Sequence, residues 1–133
     1  MPLNIRTCIR CKELYDGNNP SVASGGRALG GLCQGLCNGC IADYYREQSL
    51  VFIHRARVKK KGLPHDLTLA EWIQTLNDFK WMCAYCLTLP YQELDHFIPI
   101  SLGGGSTASN CVPSCHNCHT YKTNKHPDTL THP

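Results

Sequence analysis

The segment Cys83–Lys125 reads CAYCLTLPYQELDHFIPISLGGGSTASNCVPSCHNCHTYKTNK, and the cysteines near its two ends decide how it folds. They form two Cys-x-x-Cys pairs, Cys83/Cys86 and Cys115/Cys118. Two such pairs at this separation are typical of a closed, tetrahedral zinc site with four thiolate ligands. We expect this structural zinc to clamp the residues between the pairs to a short helix that follows the second pair.

The residues between the two pairs predict a β-hairpin. Residues 91–97 alternate apolar and polar side chains, as a half-buried strand does, and Pro99 ends this strand. The glycines at 103–105 predict a surface loop, and residues 110–113 can form the returning strand. The final helix is expected over residues 115–125.

Three side chains in this segment could hydrolyse a phosphodiester: Asp95, His96 and His119. A carboxylate and an imidazole can hold a divalent cation while leaving positions open for phosphate and water. A histidine is the natural base near neutral pH. Because neighbours on a regular strand point to opposite faces, Asp95 and His96 need a bend or a strand end to face one phosphate. The alternative is a turn aspartate and two unrelated surface histidines.

The order Cys-x-x-Cys, Asp-His-x-x-Pro, Gly-Gly, Asn, Cys-x-x-Cys-His and Lys three residues later resembles the HNH endonuclease family, over about residues 69–125. The resemblance implies a ββα-metal finger that cuts DNA, with a structural zinc on the four cysteines. It implies that His96 is the general base and that Asp95 and His119 ligate a catalytic magnesium, manganese or nickel ion. It also implies that Asn110 holds the loop and orients His96.

Two positions bear on the resemblance. Leu87 stands where many relatives have glycine, which changes a turn and not the chemistry. The position after Cys118 is often asparagine in the family, and His119 there strengthens its assignment as a metal ligand.

A second cysteine-rich segment, residues 1–40, predicts a zinc ribbon-like arm with few core-forming side chains. Cys33 is either a spare thiol or a replacement for Cys37, and free thiols in a disordered arm are the alternative to any metal. The cleanest ligand set for a second zinc is Cys8, Cys11, Cys37 and Cys40.

Two helices are predicted between the arm and the hairpin. The first spans about residues 38–60 and ends in a basic run before Gly62. The second should begin near Leu69, because Thr68 and Glu71 form a capping-box pattern before an apolar stripe. Trp81 is expected to pack over the nearby zinc site.

Basic side chains are the candidates for contacts with DNA phosphates. The basic side chains at the end of the first helix could instead be solvated, where their positive charge offsets the helix dipole. Lys122, one turn after His119, is a reasonable phosphate contact, and Lys125 could continue that line. The other candidates are Arg55, Arg57, Lys59, Lys60 and Lys61.

The remaining histidines fit no site in the sequence. His116 could reach the face of His119, although a partly exposed position within the cysteine pair fits it better. Surface or packing positions are expected for His54, His65, His126 and His132.

Composition indicates where in the cell the protein is located and what its cysteines do. No apolar run approaches the roughly 18 residues that span a bilayer, and the start, MPLNIRTCIRCKELYD, lacks the apolar core of a signal peptide. We therefore expect an intracellular, cytoplasmic protein (host cytoplasm if phage-encoded) whose ten cysteines bind metal rather than form disulfides. The net charge of +3 falls to about −1 with two zinc–tetrathiolate centres, so any DNA contact depends on local patches.

Together these features predict a small, zinc-stabilised α+β fold: a ββα-metal module preceded by two helices and a cysteine-rich arm. The predicted divisions are an arm at 1–40, a helix at 41–66, a nuclease module at 67–126 and a tail at 127–133. The expected function is metal-dependent DNA cleavage. The alternative is a non-catalytic, zinc-stapled nucleic-acid-binding or adaptor module, and a homodimer or a larger phage or restriction assembly is possible with either.

Overall fold

The computed structural model describes residues 4–19, 22 and 27–126. The predicted tail at 127–133, with His132, lies outside these residues. The chain divides into two compact units, Met1–Ser49 and Leu50–Pro133. This division falls within the first long helix, whereas the predicted boundaries lie near its two ends.

The first unit is a short hairpin followed by a 3-10 turn and the start of a helix. Strands β1 (Ile5–Thr7) and β2 (Leu14–Asp16) pair antiparallel, with Ile5 opposite Asp16. A 3-10 turn covers Ala28–Gly31, and helix α1 spans Asn38–Lys59. Three cysteines are among the six buried apolar residues described in this unit: Cys8, Cys33, Leu36, Cys40, Ile41 and Tyr44. So small an apolar core is typical of a unit that needs a metal crosslink.

In the second unit, helix α2 (Leu69–Asp78) carries the core. Its start confirms the predicted capping box: the Thr68 hydroxyl accepts from the Glu71 backbone, and the Glu71 carboxylate accepts from the Thr68 backbone. The middle of the apolar stripe is buried, with Trp72 and Leu76 fully removed from solvent, and Leu69 and Phe79 at its ends are partly exposed. The stripe thus anchors this unit, as its spacing predicts.

A two-stranded sheet and a short helix follow α2. Strands β3 (Glu93–His96) and β4 (Cys111–Ser114) pair antiparallel, with His96 opposite Cys111. Helix α3 spans His116–Lys122. The prediction that this helix continues to Lys125 is wrong, because Thr123 adopts a positive φ of 48° and ends it.

The glycine-rich loop is exposed at residues 101–103 and 108–109, as expected of a surface loop, but its middle lies inward, which corrects the expectation for that part. Residues 104–106 are buried. A Cβ on Gly104 would stand 1.7 Å from the Ile98 carbonyl oxygen, and one on Gly105 would stand 2.5 Å from the Pro64 carbonyl oxygen. Only glycine allows so close an approach of two backbone segments.

Trp81 packs on a neighbouring aromatic ring. Its Nε1 donates to Asn77 Oδ1 at 2.8 Å, and its ring meets Tyr91 edge-on with centroids 6.0 Å apart. Its observed contacts therefore tie the end of α2 to the start of the hairpin. Among the described residues, no helix is long and apolar enough to cross a membrane.

Candidate active site and cysteine clusters

Four cysteines of the second unit converge as the spacing predicts. The Sγ atoms of Cys83, Cys86, Cys115 and Cys118 all lie within 4.8 Å of one another, a group that could hold a metal ion. Cys115 caps α3, because its Sγ accepts from the Cys118 backbone N–H at 3.4 Å. The group therefore joins the turn after α2 to the first turn of α3.

The turn at the first pair shows what replacing glycine by leucine costs. Leu87 has φ 59°, a left-handed conformation that glycine adopts without strain. Its backbone N–H still donates to the Cys83 carbonyl at 3.0 Å. The same turn forms with leucine, at some cost in backbone strain.

A second four-cysteine group lies in the first unit, and Cys37 is one of its members. The Sγ atoms of Cys8, Cys11, Cys37 and Cys40 lie within 4.8 Å of one another. Cys33 is buried outside this group, and burial raises the pKa of its thiol. Of the two arrangements that the sequence left open, the geometry fits the one that contains Cys37.

Asp95 is a buried carboxylate whose two oxygens have different partners. Oδ1 lies 3.1 Å from Nδ1 of His119. Oδ2 accepts from the Tyr85 hydroxyl and lies 3.2 Å from the Lys122 ammonium. Burial and the hydrogen bond to Asp95 raise the pKa of Tyr85, so this phenol remains a donor. Tyr85 and Lys122 thus fix the carboxylate so that Oδ1 is directed to His119.

His96 is buried next to Asp95 and has other neighbours. Its Nε2 lies 2.8 Å from the Ser106 hydroxyl oxygen, and its ring centroid is 5.3 Å from that of His54. Burial, and then the charge that His54 can carry, lower the pKa of His96 to about 4. The imidazole is therefore neutral near pH 7 and able to accept a proton.

Asn110 holds the loop between β3 and β4 with its side-chain amide. Oδ1 accepts from the Ile98 backbone N–H at 2.8 Å. Nδ2 donates to the carbonyls of Ile98 and Gly105 at 3.1 and 2.9 Å. The amide thus links the two sides of the glycine-rich loop, one residue away from Ser106.

A cleft of about 290 Å³ brings these groups together. Asp95, His96 and His119 line it, together with His54 and Arg57 of α1. The cleft therefore combines a neutral histidine, a carboxylate–imidazole pair and a guanidinium. That combination can bind a divalent cation and an anionic group beside a base.

Comparison with known proteins identifies this segment. Residues 83–125 match the family model described as HNH endonuclease. The segment that matches this model, residues 83–125, is called the HNH domain below. A relative, the type IV methyl-directed restriction enzyme EcoKMcrA of Escherichia coli (strain K12), is 57% identical over 30 residues. That alignment covers 23% of this chain and 11% of the relative, and no solved structure matches the chain.

Lys122 occupies an interior position in the HNH domain, which does not fit the expected phosphate contact. Its side chain is 1% exposed, and Nζ donates to the His96 carbonyl at 2.8 Å besides its pairing with Asp95. Lys125, by contrast, is exposed.

The basic residues of α1 lie on two faces of the helix. Arg57 lines the cleft of the HNH domain. Arg55 and Lys59 line a separate groove with exposed Phe52, and Arg55 Nε donates to the His65 carbonyl at 2.8 Å. At about 3.6 residues per turn, these two sets point about half a turn apart. Lys60 and Lys61 follow the helix and are exposed.

Three residues that contact Asp95 or His96 were not predicted from the sequence: His54, Tyr85 and Ser106. His54 is a packing residue, as expected, but its ring packs beside His96 and lines the cleft, which the sequence did not indicate. Tyr85 stands inside the Cys-x-x-Cys pair, where nothing in the sequence marks it as a partner of Asp95. His116, at the edge of the HNH domain, is exposed and lies 3.4 Å from Glu93.

Proposed function

We propose that this protein is a metal-dependent HNH endonuclease that hydrolyses phosphodiester bonds in DNA, by nicking or by double-strand cleavage. The observation that supports the proposal best is the cleft, in which buried His96 stands beside the Asp95–His119 pair. A binding module has no need of a base next to a metal-binding pair.

Asp95 and His119 would hold the catalytic divalent ion, with magnesium as the default and manganese or nickel as alternatives. Their donor atoms fit the group, because one carboxylate oxygen and one imidazole nitrogen lie 3.1 Å apart at the cleft. When bound, the ion would offset negative charge on the phosphoryl and leaving oxygens. Tyr85 and Lys122 hold the other oxygen of Asp95 and keep the carboxylate in place.

His96 takes the proton of the attacking water in this proposal. Its burial keeps the ring neutral, and neutrality is what a base needs. Arg57, on the wall of the cleft, would contact a phosphate oxygen and bring the diester to the base. Lys59, Lys60, Lys61, Arg55 and Lys125 would add contacts with more distant phosphates.

The two cysteine groups would each hold a structural zinc. Four thiolates form a closed tetrahedral site with no open position, so these ions would support the fold and take no part in the chemistry. The Cys83 group would fix the two ends of the catalytic segment.

DNA is the proposed substrate because the relative is named as a methyl-directed restriction enzyme. The chain spans only 11% of that relative, so a restriction role, a homodimer or a larger assembly is proposed by analogy alone.

Cleavage of supercoiled plasmid DNA tests the proposal. Wild type, His96→Ala and His119→Ala are compared in magnesium, manganese, nickel and EDTA, with His116→Ala as the matched control on the same helix. We expect metal-dependent nicking or linearisation by wild type and His116→Ala, and none by the other two at unchanged zinc content. An active, folded His96→Ala protein would refute the mechanism.

A non-catalytic binding or adaptor role is the second candidate. The first cysteine group favours it, because a separate zinc-stapled unit is not needed for hydrolysis. Absence of cleavage by a folded, zinc-loaded wild type that still shifts DNA in a gel would support this role.

A further inference from the structure

A second concave surface lies on the other side of α1 from the cleft. The cleft takes His54 and Arg57 from this helix. The second surface is a groove of about 290 Å³, formed by one face of α1 and the loop after it and lined by Phe52, Arg55, Ala56, Lys59 and His65. The four helical residues follow one another at i, i+3, i+4 and i+7, the spacing of a single helix face. The proposed chemistry does not use this apolar groove.

Phe52 gives the groove an aromatic surface. The residue is 72% exposed, although a phenylalanine ring gains free energy when it is covered. The methyl group of Ala56 and the aliphatic stems of Arg55 and Lys59 extend the apolar surface around the ring. A flat apolar group of a ligand would therefore be stabilised against Phe52.

Arg55 and Lys59 add two positive charges to the same groove. Arg55 Nε donates to the His65 carbonyl at 2.8 Å, which holds the guanidinium and leaves its two terminal nitrogens for a ligand. Among the described residues, neither cation is in an ion pair, and no acidic side chain lines the groove. The groove therefore fits a ligand that carries a flat apolar group next to an anion.

We infer that the groove binds an unpaired nucleotide of single-stranded DNA, with its base stacked on Phe52 and its phosphates held by Arg55 and Lys59. Stacking on aromatic side chains and cations along the backbone are the means by which proteins bind single strands. In a duplex each base is already stacked on its neighbours, so its face is not open to Phe52.

The position of the groove favours nucleic acid over an acidic peptide. Groove and cleft lie on two sides of one helix, whose diameter with side chains is about 10 Å, so a strand that enters the cleft passes close to the groove. The inference rests on the proposed function. It adds the substrate class, which is DNA with an unpaired segment beside the bond that is cut.

Binding of a fluorescently labelled single-stranded oligonucleotide tests the inference, with zinc-loaded protein and no added magnesium, manganese or nickel. Loss of one stacked base lowers affinity about 5- to 100-fold. We expect this loss for Phe52→Ala and nearly wild-type affinity for Phe52→Tyr, whose ring can still stack. Ile53→Ala is the matched control, because Ile53 is 58% exposed and lines neither the groove nor the cleft.

Two more readouts separate stacking from charge. Lys59→Gln should reduce the slope of log K against log salt by about 0.7, the value for one phosphate contact with a single strand, whereas Phe52→Ala should leave the slope unchanged. Lys80→Gln is the control for charge, since Lys80 is exposed and lines neither site. In Phe52→Trp the oligonucleotide should quench the fluorescence of the introduced indole, and in Ile53→Trp it should not.

Two results would overturn the inference. The first is equal affinity of wild type and Phe52→Ala for the single strand; if that variant also lost the binding of an acidic peptide, the groove would belong to a protein partner. The second is an equal loss by Phe52→Ala with the fully paired duplex of the same sequence, because paired bases offer no face to the ring. Binding is measured without the catalytic ion, so a chain that cleaves no DNA would refute the nuclease proposal and still give an answer for the groove.

Discussion

Replacing Lys122 by methionine tests whether this cation belongs to the interior of the HNH domain or contacts DNA phosphates, as the sequence predicts. The side chain is 1% exposed, and its ammonium lies 3.2 Å from Asp95 Oδ2 and 2.8 Å from the His96 carbonyl oxygen. Methionine keeps most of the apolar stem and removes the charge. The buried carboxylate then loses its cation, and the carbonyl loses a donor.

The size of the effect follows from these contacts. Removing one partner of a buried ion pair costs about 3–5 kcal/mol, because the other charge stays buried. The Tyr85 hydroxyl still donates to the same oxygen of Asp95, which favours the lower end of that range. We therefore expect Lys122→Met to lower the free energy of unfolding by about 3 kcal/mol, or about 100-fold in the folding equilibrium.

Urea unfolding followed by tryptophan fluorescence measures this loss. Both tryptophans of the chain, Trp72 and Trp81, lie in the unit that contains Lys122. The matched control is Lys125→Met, an exposed lysine just after the same helix, which should stay within about 0.5 kcal/mol of wild type. Adding Asp95→Asn to Lys122→Met should recover part of the loss, since the neutral amide needs no cation.

Equal unfolding midpoints for Lys122→Met and Lys125→Met would refute this reasoning. If Lys122→Met instead kept full stability and weakened DNA binding with a smaller salt dependence, the phosphate contact predicted from the sequence would be correct.

Other predictions concern the loop, the metals and pH. Gly104→Ala would place a Cβ 1.7 Å from the Ile98 carbonyl oxygen, so the cleavage rate and the melting temperature should both fall. Wild-type values of both would show that the loop backbone can move to make room for the methyl group. Cys37→Ser should lower the zinc content, measured by mass spectrometry, by one ion per chain, whereas Cys33→Ser should leave it unchanged. The opposite result would make Cys33 the zinc ligand and Cys37 the spare thiol. With the pKa of His96 lowered to about 4, its neutral form persists well below neutral pH, so the cleavage rate should hold between about pH 7.5 and 5.5 and fall as the ring protonates near pH 4. A base of ordinary pKa would instead lose about tenfold by pH 5.5, so a fall of that size would contradict the burial argument.

The sequence predicted the secondary structure well where local signals were strong. The capping box at Thr68 fixes the start of α2, and alternation near Leu94 marks β3. The predicted end of α3, at Lys125, was wrong because Thr123 leaves the helical conformation. No glycine or proline at this position indicates a helix end in the sequence. Helix ends depend on a single backbone angle, which the pattern of apolar residues does not encode.

The candidate site shows the same division between local and tertiary information. The order of motifs made Asp95, His96 and His119 candidate site residues, and the structure places all three in one cleft. Ser106 and His54 reach His96 only through the folding of distant segments against it, so their spacing along the chain carries no signal. Lysine usually lies on the surface, so an interior position could not be inferred from sequence.

The cysteine group of the HNH domain also bears on how the protein is made. Asp95, His96, Ser106 and Asn110 all precede Cys115 and Cys118, which complete the group, and His119 follows directly. Because synthesis runs from the amino terminus, a nascent chain that stops before Cys115 contains the proposed base but neither the closing thiolates nor the second proposed ligand of a catalytic ion. The proposed site therefore cannot be complete until residue 119 has been added. If the proposed DNA cleavage is correct, truncated products of translation would be harmless to the DNA of the cell that makes them.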